Sequence, residues 1–110
     1  MCKVAHITTE GEITITDLNS EFVDYRTLSE GVGGMVEPVM LRDFDLWCNE
    51  NGLYEGLTVN TIATKLWLDS YPTASNPILG NVVITGGCDE DGETVGLSEQ
   101  QVALIEALKN

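Results

Sequence analysis

The side chains best equipped for chemistry crowd into one run, Leu46 to Asn60, which reads Leu-Trp-Cys-Asn-Glu-Asn-Gly-Leu-Tyr-Glu-Gly-Leu-Thr-Val-Asn. Asn49 and Asn60 each carry a fixed pair of donor and acceptor, and Glu50 adds a carboxylate. Together they could read the polar edge of a base or nucleotide. Asparagine also satisfies turns and helix caps routinely, so the same residues have a structural use open to them. Trp47 and Tyr54 lie in the same run, and tryptophan reads as a core or interface anchor. The candidate ligand or partner surface is therefore Asn49, Glu50, Asn60, Trp47 and Tyr54.

Catalytic sets are harder to assemble. Cys48 has no neighbouring base or cation in the sequence to generate a thiolate, and it reads as a small buried hydrophobe. His6 is the only histidine, which leaves little acid–base capacity near neutral pH and no second imidazole for a metal. Asp43 and Asp45, two apart in an extended segment, point to one face and with Glu50 could build a divalent-metal hydrolase. Gly31-Val32-Gly33-Gly34 lacks the spacing of a dinucleotide loop and leaves a helix instead of opening one. The acidic run Asp89-Glu90-Asp91-Gly92 fails as a calcium loop. With Gly92 as its sixth position, Gly87 and Ser98 fall where the first and last ligands should be. No catalytic residue, metal site or cofactor is assigned.

The elements that must position these residues follow from periodicity. Lys3–Thr9 and Ile13–Thr16 read as a hairpin turning at Glu10-Gly11-Glu12, with Ile13 and Ile15 buried. Asn19 or Ser20 is expected to cap a helix carrying Phe22, Val23, Tyr25 and Leu28, stopped at Gly31. Met35–Leu41 follows as a strand that Pro38 confines to a sheet edge or a bulge. Phe44–Cys48 is expected to pass through a tight Asn51-Gly52 hairpin turn into a short return, Leu53-Tyr54. Thr58 is expected to cap a helix with Val59, Ile62, Ala63, Leu66 and Trp67 as its core stripe. Ser70–Pro77 reads as a mobile loop, Val82–Thr85 as a central strand, Gly86–Gly92 as a turn, and Ser98 to Gln101 as a capping box opening a last helix. The order predicts an α+β fold, a mainly antiparallel sheet with two or three helices packed on it, in one domain over 1–110.

Composition narrows the partners. Eighteen acidic against five basic residues give a net charge of −13, which disfavours direct nucleic-acid or anionic-membrane binding and favours basic partners. An apolar fraction of 43% argues for a packed core in spite of that charge. Three cysteines without a CxxC spacing do not suggest a disulfide framework. No leader pattern and no apolar run of spanning length is present, so a cytoplasmic protein is expected.

The succession Leu28-Ser-Glu-Gly-Val32-Gly33-Gly34-Met-Val-Glu37, Cys48-Asn49-Glu50-Asn51-Gly52, Gly56-Leu57 with Asn60, Gly80-Asn-Val-Val-Ile84 with Gly86, and Leu97-Ser98 with Gln101 resembles domain-of-unknown-function family 3846. The resemblance runs from about residue 13 to residue 108. It implies a bacteriophage or mobile-element origin, residence in the host-cell cytoplasm, and a part in host takeover or defence evasion. The family carries no established reaction. The expectation is an acidic accessory protein that binds a host protein or a small nucleotide-like ligand without catalysis, its free sheet edge leaving room for a homo-oligomer. One alternative is a nucleic-acid mimic occupying a basic DNA-binding groove. The other is the Asp43, Asp45, Glu50 hydrolase.

Overall fold

The structure is a computed structural model and describes residues 1–109. Ten elements follow one another: β1 (Cys2–Ile7), β2 (Ile13–Leu18), α1 (Tyr25–Val32), β3 (Val36–Met40), β4 (Asp45–Asn49), α2 (Thr61–Ser70), β5 (Val82–Thr85), β6 (Gly87–Cys88), β7 (Thr94–Val95) and α3 (Glu99–Ala107). Five strands form one sheet in the order β2-β1-β5-β4-β3, and β6 with β7 forms a small second sheet. Every pairing is antiparallel. This is the α+β architecture expected from the sequence.

The four consecutive apolar or β-branched residues of β5 put that strand in the middle, and all four are buried. Alternation then assigns one set of side chains to each face. Ala5, Ile7, Leu46, Cys48, Val82 and Ile84 pack against Ala63 of α2 and Ile105 of α3. Val4 and Val83, with Trp47, pack against Leu28 and Val32 of α1 on the other face. The sheet is therefore covered on both sides, as a strand with apolar residues at three consecutive positions requires. Pro38 sits where its missing N–H does no harm, on outermost β3 opposite Trp47.

Several boundaries differ from the sequence expectation. The cap of α1 is Asp24, not Asn19 or Ser20; its carboxylate accepts from the Thr27 N–H at 2.9 Å. Phe22 lies outside the helix because it bridges to Val95. The stop is Gly33, at φ 77°, and not Gly31. Gly31 is instead a helical glycine that lets α1 lie close on the sheet. A Cβ there would stand 2.3 Å from Val83 Cγ2 and 3.3 Å from the His6 ring. The cap of α2 is Asn60, not Thr58, since Val59 bridges to Leu79 before the helix begins. Asp43 precedes β4, so it and Asp45 do not share a strand. The capping box of Ser98 and Gln101 forms as expected, and the Gln101 amide also donates to the Asp43 carbonyl at 2.8 Å. Among the described residues no helix is long and apolar enough to cross a membrane.

Candidate functional site

The run Leu46–Asn60 does not make a hairpin. After β4 the chain turns through residues 50–56, with the Glu55 N–H on the Asn51 carbonyl at 2.8 Å and the Leu57 N–H on the Gly52 carbonyl at 2.9 Å. Neither Asn51 nor Gly52 has a positive φ, so the primed turn that both residues favour is absent, and Leu53-Tyr54 is no return strand. What decides this is tertiary contact. Gly52 is buried, and a Cβ on it would lie 3.2 Å from Leu79 Cβ and 3.4 Å from the Asn49 carbonyl. The glycine serves close approach of two segments, not turn geometry.

That approach closes one side of a cleft of about 410 Å³. Its walls are the edge pair β3–β4, the turn after β4, Trp67 of α2, and the segment from Asn76 to Leu79. Val39, Cys48, Trp67 and Ile78 give it an apolar lining, and Glu37 and Glu50 stand at it as exposed carboxylates. Its size falls within the range usual for small-molecule and side-chain pockets. The end of the expected Ser70–Pro77 loop contributes Asn76 and Pro77, while Ser70 itself still belongs to α2.

The five candidate residues separate. Asn49 and Glu50 border the cleft. The Asn49 side chain, however, is only 5% exposed, and its amide is engaged. Its oxygen accepts from the Asn51 N–H at 2.7 Å, and its nitrogen donates to the Val32 carbonyl at the end of α1 at 3.3 Å. Asn60 is fully buried. Its oxygen accepts from the Ala63 N–H at 3.0 Å, while its nitrogen donates to the carbonyls of Ile7 and Gly80, both at 3.0 Å. One side chain thus ties β1, the approach to β5 and the start of α2 together; both its N–H donors are used, and full burial keeps it from a base edge. Trp47 lies on the opposite face of the sheet, its indole N–H donating to the Thr85 hydroxyl at 2.9 Å. Tyr54 projects from the 50–56 turn at 93% exposure. Glu50 and Tyr54 alone keep their polar groups free of a structural task.

Cysteine chemistry at the cleft is muted. Burial pushes the Cys48 thiol up to about 11, with the Glu37 carboxylate adding to the shift, so at neutral pH it stays protonated and a poor nucleophile. His6 is on the α1 side, beneath Gly31, and burial lowers its pKa. Asp45 opens β4 and Glu50 follows its last residue, so the strand's length, about 16 Å for five extended residues, lies between them. Among the described residues no three of His, Cys, Asp and Glu gather as a metal site. The proposed carboxylate trio is not brought together.

The site residues that the sequence did not single out are Glu37, Trp67, Ile78 and Leu79, whereas Asn76 and Pro77 end the loop expected at Ser70–Pro77. Only pairing register brings Glu37 opposite Cys48, and nothing local announces it. Comparison with curated proteins gives no match, and comparison with solved structures gives none either. A family model does match, over residues 2–109, which is nearly the whole chain. The protein belongs to the family described as a domain of unknown function, DUF3846.

Proposed function

We propose that this chain acts by binding, not by catalysis, and that the cleft beside β3–β4 is where it binds. The supporting observation is the lining: an apolar cavity wall with Trp67 and two exposed carboxylates, in which the one nucleophile is a protonated thiol. Such a wall can hold a ligand or a partner side chain. The proposal extends to an accessory role for a bacteriophage or mobile element, directed at a host protein or a small ligand in the host cytoplasm. That part follows from what the family resemblance implies.

The test is a fragment screen by two-dimensional NMR, using neutral, anionic and cationic compounds. Shifts should concentrate on the amides of Cys48, Glu50 and Leu53 and on the Trp67 indole, leaving the Trp47 indole unmoved. A screen in which no class of compound moves those signals would overturn the reading.

A further inference from the structure

We propose that the cleft accepts the cationic side chain of a partner protein's basic segment, an arginine or a lysine flanked by an apolar residue. This rests on the binding reading above and goes on to specify the occupant. Three features favour it together. First, Glu37 and Glu50 border the cleft without counter-ions. The ion pairs among the described residues are Lys3–Asp17, Arg26–Glu30 and Lys109–Glu106, and neither cleft carboxylate takes part. No basic residue lines the cleft either. An anionic ligand would enter against two uncompensated charges, whereas a cation would be attracted by both.

Second, the lining suits a long cationic side chain specifically. An arginine or lysine stem is apolar up to its charged head, and Val39, Cys48 and Ile78 offer apolar contact for it. Trp67 supplies an aromatic ring at the same wall, and cations are attracted to the faces of such rings. A small inorganic cation would gain nothing from that apolar wall. Third, the rim carries an apolar contact point that the fold itself does not use. Leu53 lines the cleft at 85% exposure, and Tyr54 beside it is 93% exposed. Exposed aromatic and aliphatic side chains next to a pocket are the usual anchors of a protein interface. The chain's net charge of −13 would steer a basic segment inward and repel acidic ones.

The experiment uses three blocked tripeptides, arginine-leucine-arginine, its uncharged citrulline counterpart, and glutamate-leucine-glutamate, titrated into the full chain in 0.15 M salt and followed by NMR. The arginine peptide should shift Glu37, Cys48, Glu50 and the Trp67 indole, and the glutamate peptide should shift none of them. The double variant Glu37→Gln, Glu50→Gln should weaken the arginine peptide roughly tenfold. Both positions are exposed, so the variant's melting temperature should match the parent's and show that the fold is intact. Equal binding of the citrulline peptide, or an unchanged affinity in the double variant, would overturn the cationic occupant while leaving a binding cleft. Arginine-peptide shifts spread over the acidic surface and absent from the cleft would overturn it as well. If neither the peptides nor any neutral fragment moves the cleft signals, the binding reading itself fails.

Discussion

Replacing Asn60 tests most directly how the centre of the fold is held. Asn60→Ala removes three hydrogen bonds from a fully buried position: the cap to the Ala63 N–H, and the donations to the Ile7 and Gly80 carbonyls. Loss of a cap costs about 1 kcal/mol. Each buried carbonyl deprived of its donor costs about 1 kcal/mol more at the low end of the usual range. The sum is about 3 kcal/mol, a large part of the roughly 5–15 kcal/mol that holds a domain folded. For a chain of this length that corresponds to a melting temperature lower by about 12–18 °C. Urea unfolding followed by tryptophan fluorescence would measure it, the parent and variant sharing one m-value if only stability has changed.

Two companion variants separate the contributions. Asn60→Ser can rebuild the cap but not the two donations, so about 1 kcal/mol should return and about 2 kcal/mol stay lost. Asn60→Asp keeps the cap acceptor and turns a carboxylate toward two carbonyl oxygens. Its folded pKa must then lie above the ordinary value, so relative to the parent its penalty is full above that raised pKa. The ionisation part of the penalty disappears as pH falls below the unfolded value of about 4, and the cost of the one carbonyl that a single O–H cannot serve remains. If Asn60→Ala cost less than about 1 kcal/mol, or Asn60→Ser recovered the parent's stability, the two carbonyl bonds would contribute nothing and the reasoning would be wrong.

Four further outcomes are expected. Trp47→Phe should destabilise by about 1–3 kcal/mol, because it leaves the buried Thr85 hydroxyl without its indole partner. Pairing it with Thr85→Val should recover much of that loss in a double-mutant cycle read by chemical denaturation. Iodoacetamide at pH 8 should modify exposed Cys88 quickly and Cys48 only on unfolding, since burial and Glu37 hold the Cys48 thiol near 11; peptide mapping by mass spectrometry reads this directly. The His6 ring should titrate below its ordinary 6.5, because burial disfavours its charged form. Its contribution to stability is then present above 6.5 and lost as pH falls through the lowered folded pKa. A ring titration followed by NMR with a midpoint at or above 6.5 would contradict this packing. Gly31→Ala should cost about 1–3 kcal/mol despite alanine's better helix propensity, because the new methyl would collide with Val83. A smaller residue at position 83 should relieve it in the same denaturation assay.

Where sequence reading succeeded, the deciding forces were local or periodic. Pro38 cannot donate a ladder hydrogen bond wherever it sits, and the run Val82-Val83-Ile84 can be apolar at consecutive positions only if both faces are covered. The capping box at Ser98 is complete within four residues. Each miss has a long-range competitor. Asn19, Ser20 and Asp24 are all good caps by type. Asp24 is the one used because Phe22 is drawn into a bridge with Val95, seventy-odd residues away in the chain. In the same way Val59 pairs with Leu79 and moves the start of α2 from Thr58 to Asn60. The preference of Asn51-Gly52 for a hairpin yields to the contact between Gly52 and Leu79. The candidate site was half legible. Glu50 was in view, whereas Glu37 and Trp67 reach it only through register and helix packing, which a linear pattern does not encode.

The strand order carries a consequence for how the chain assembles. The β1–β2 and β3–β4 pairs are each contiguous hairpins that can close locally, but neither touches the other in the sheet. Both wait for β5, the strand that bonds to β1 on one side and β4 on the other. During synthesis the first eighty residues can therefore hold two separate ribbons and little more. The segment 76–79, which walls the cleft, immediately precedes that keystone strand. The cleft and the joined sheet should consequently appear in a single late event on the ribosome. A nascent chain arrested before Val82 should lack both, and one extended past Thr85 clear of the exit tunnel should gain them together.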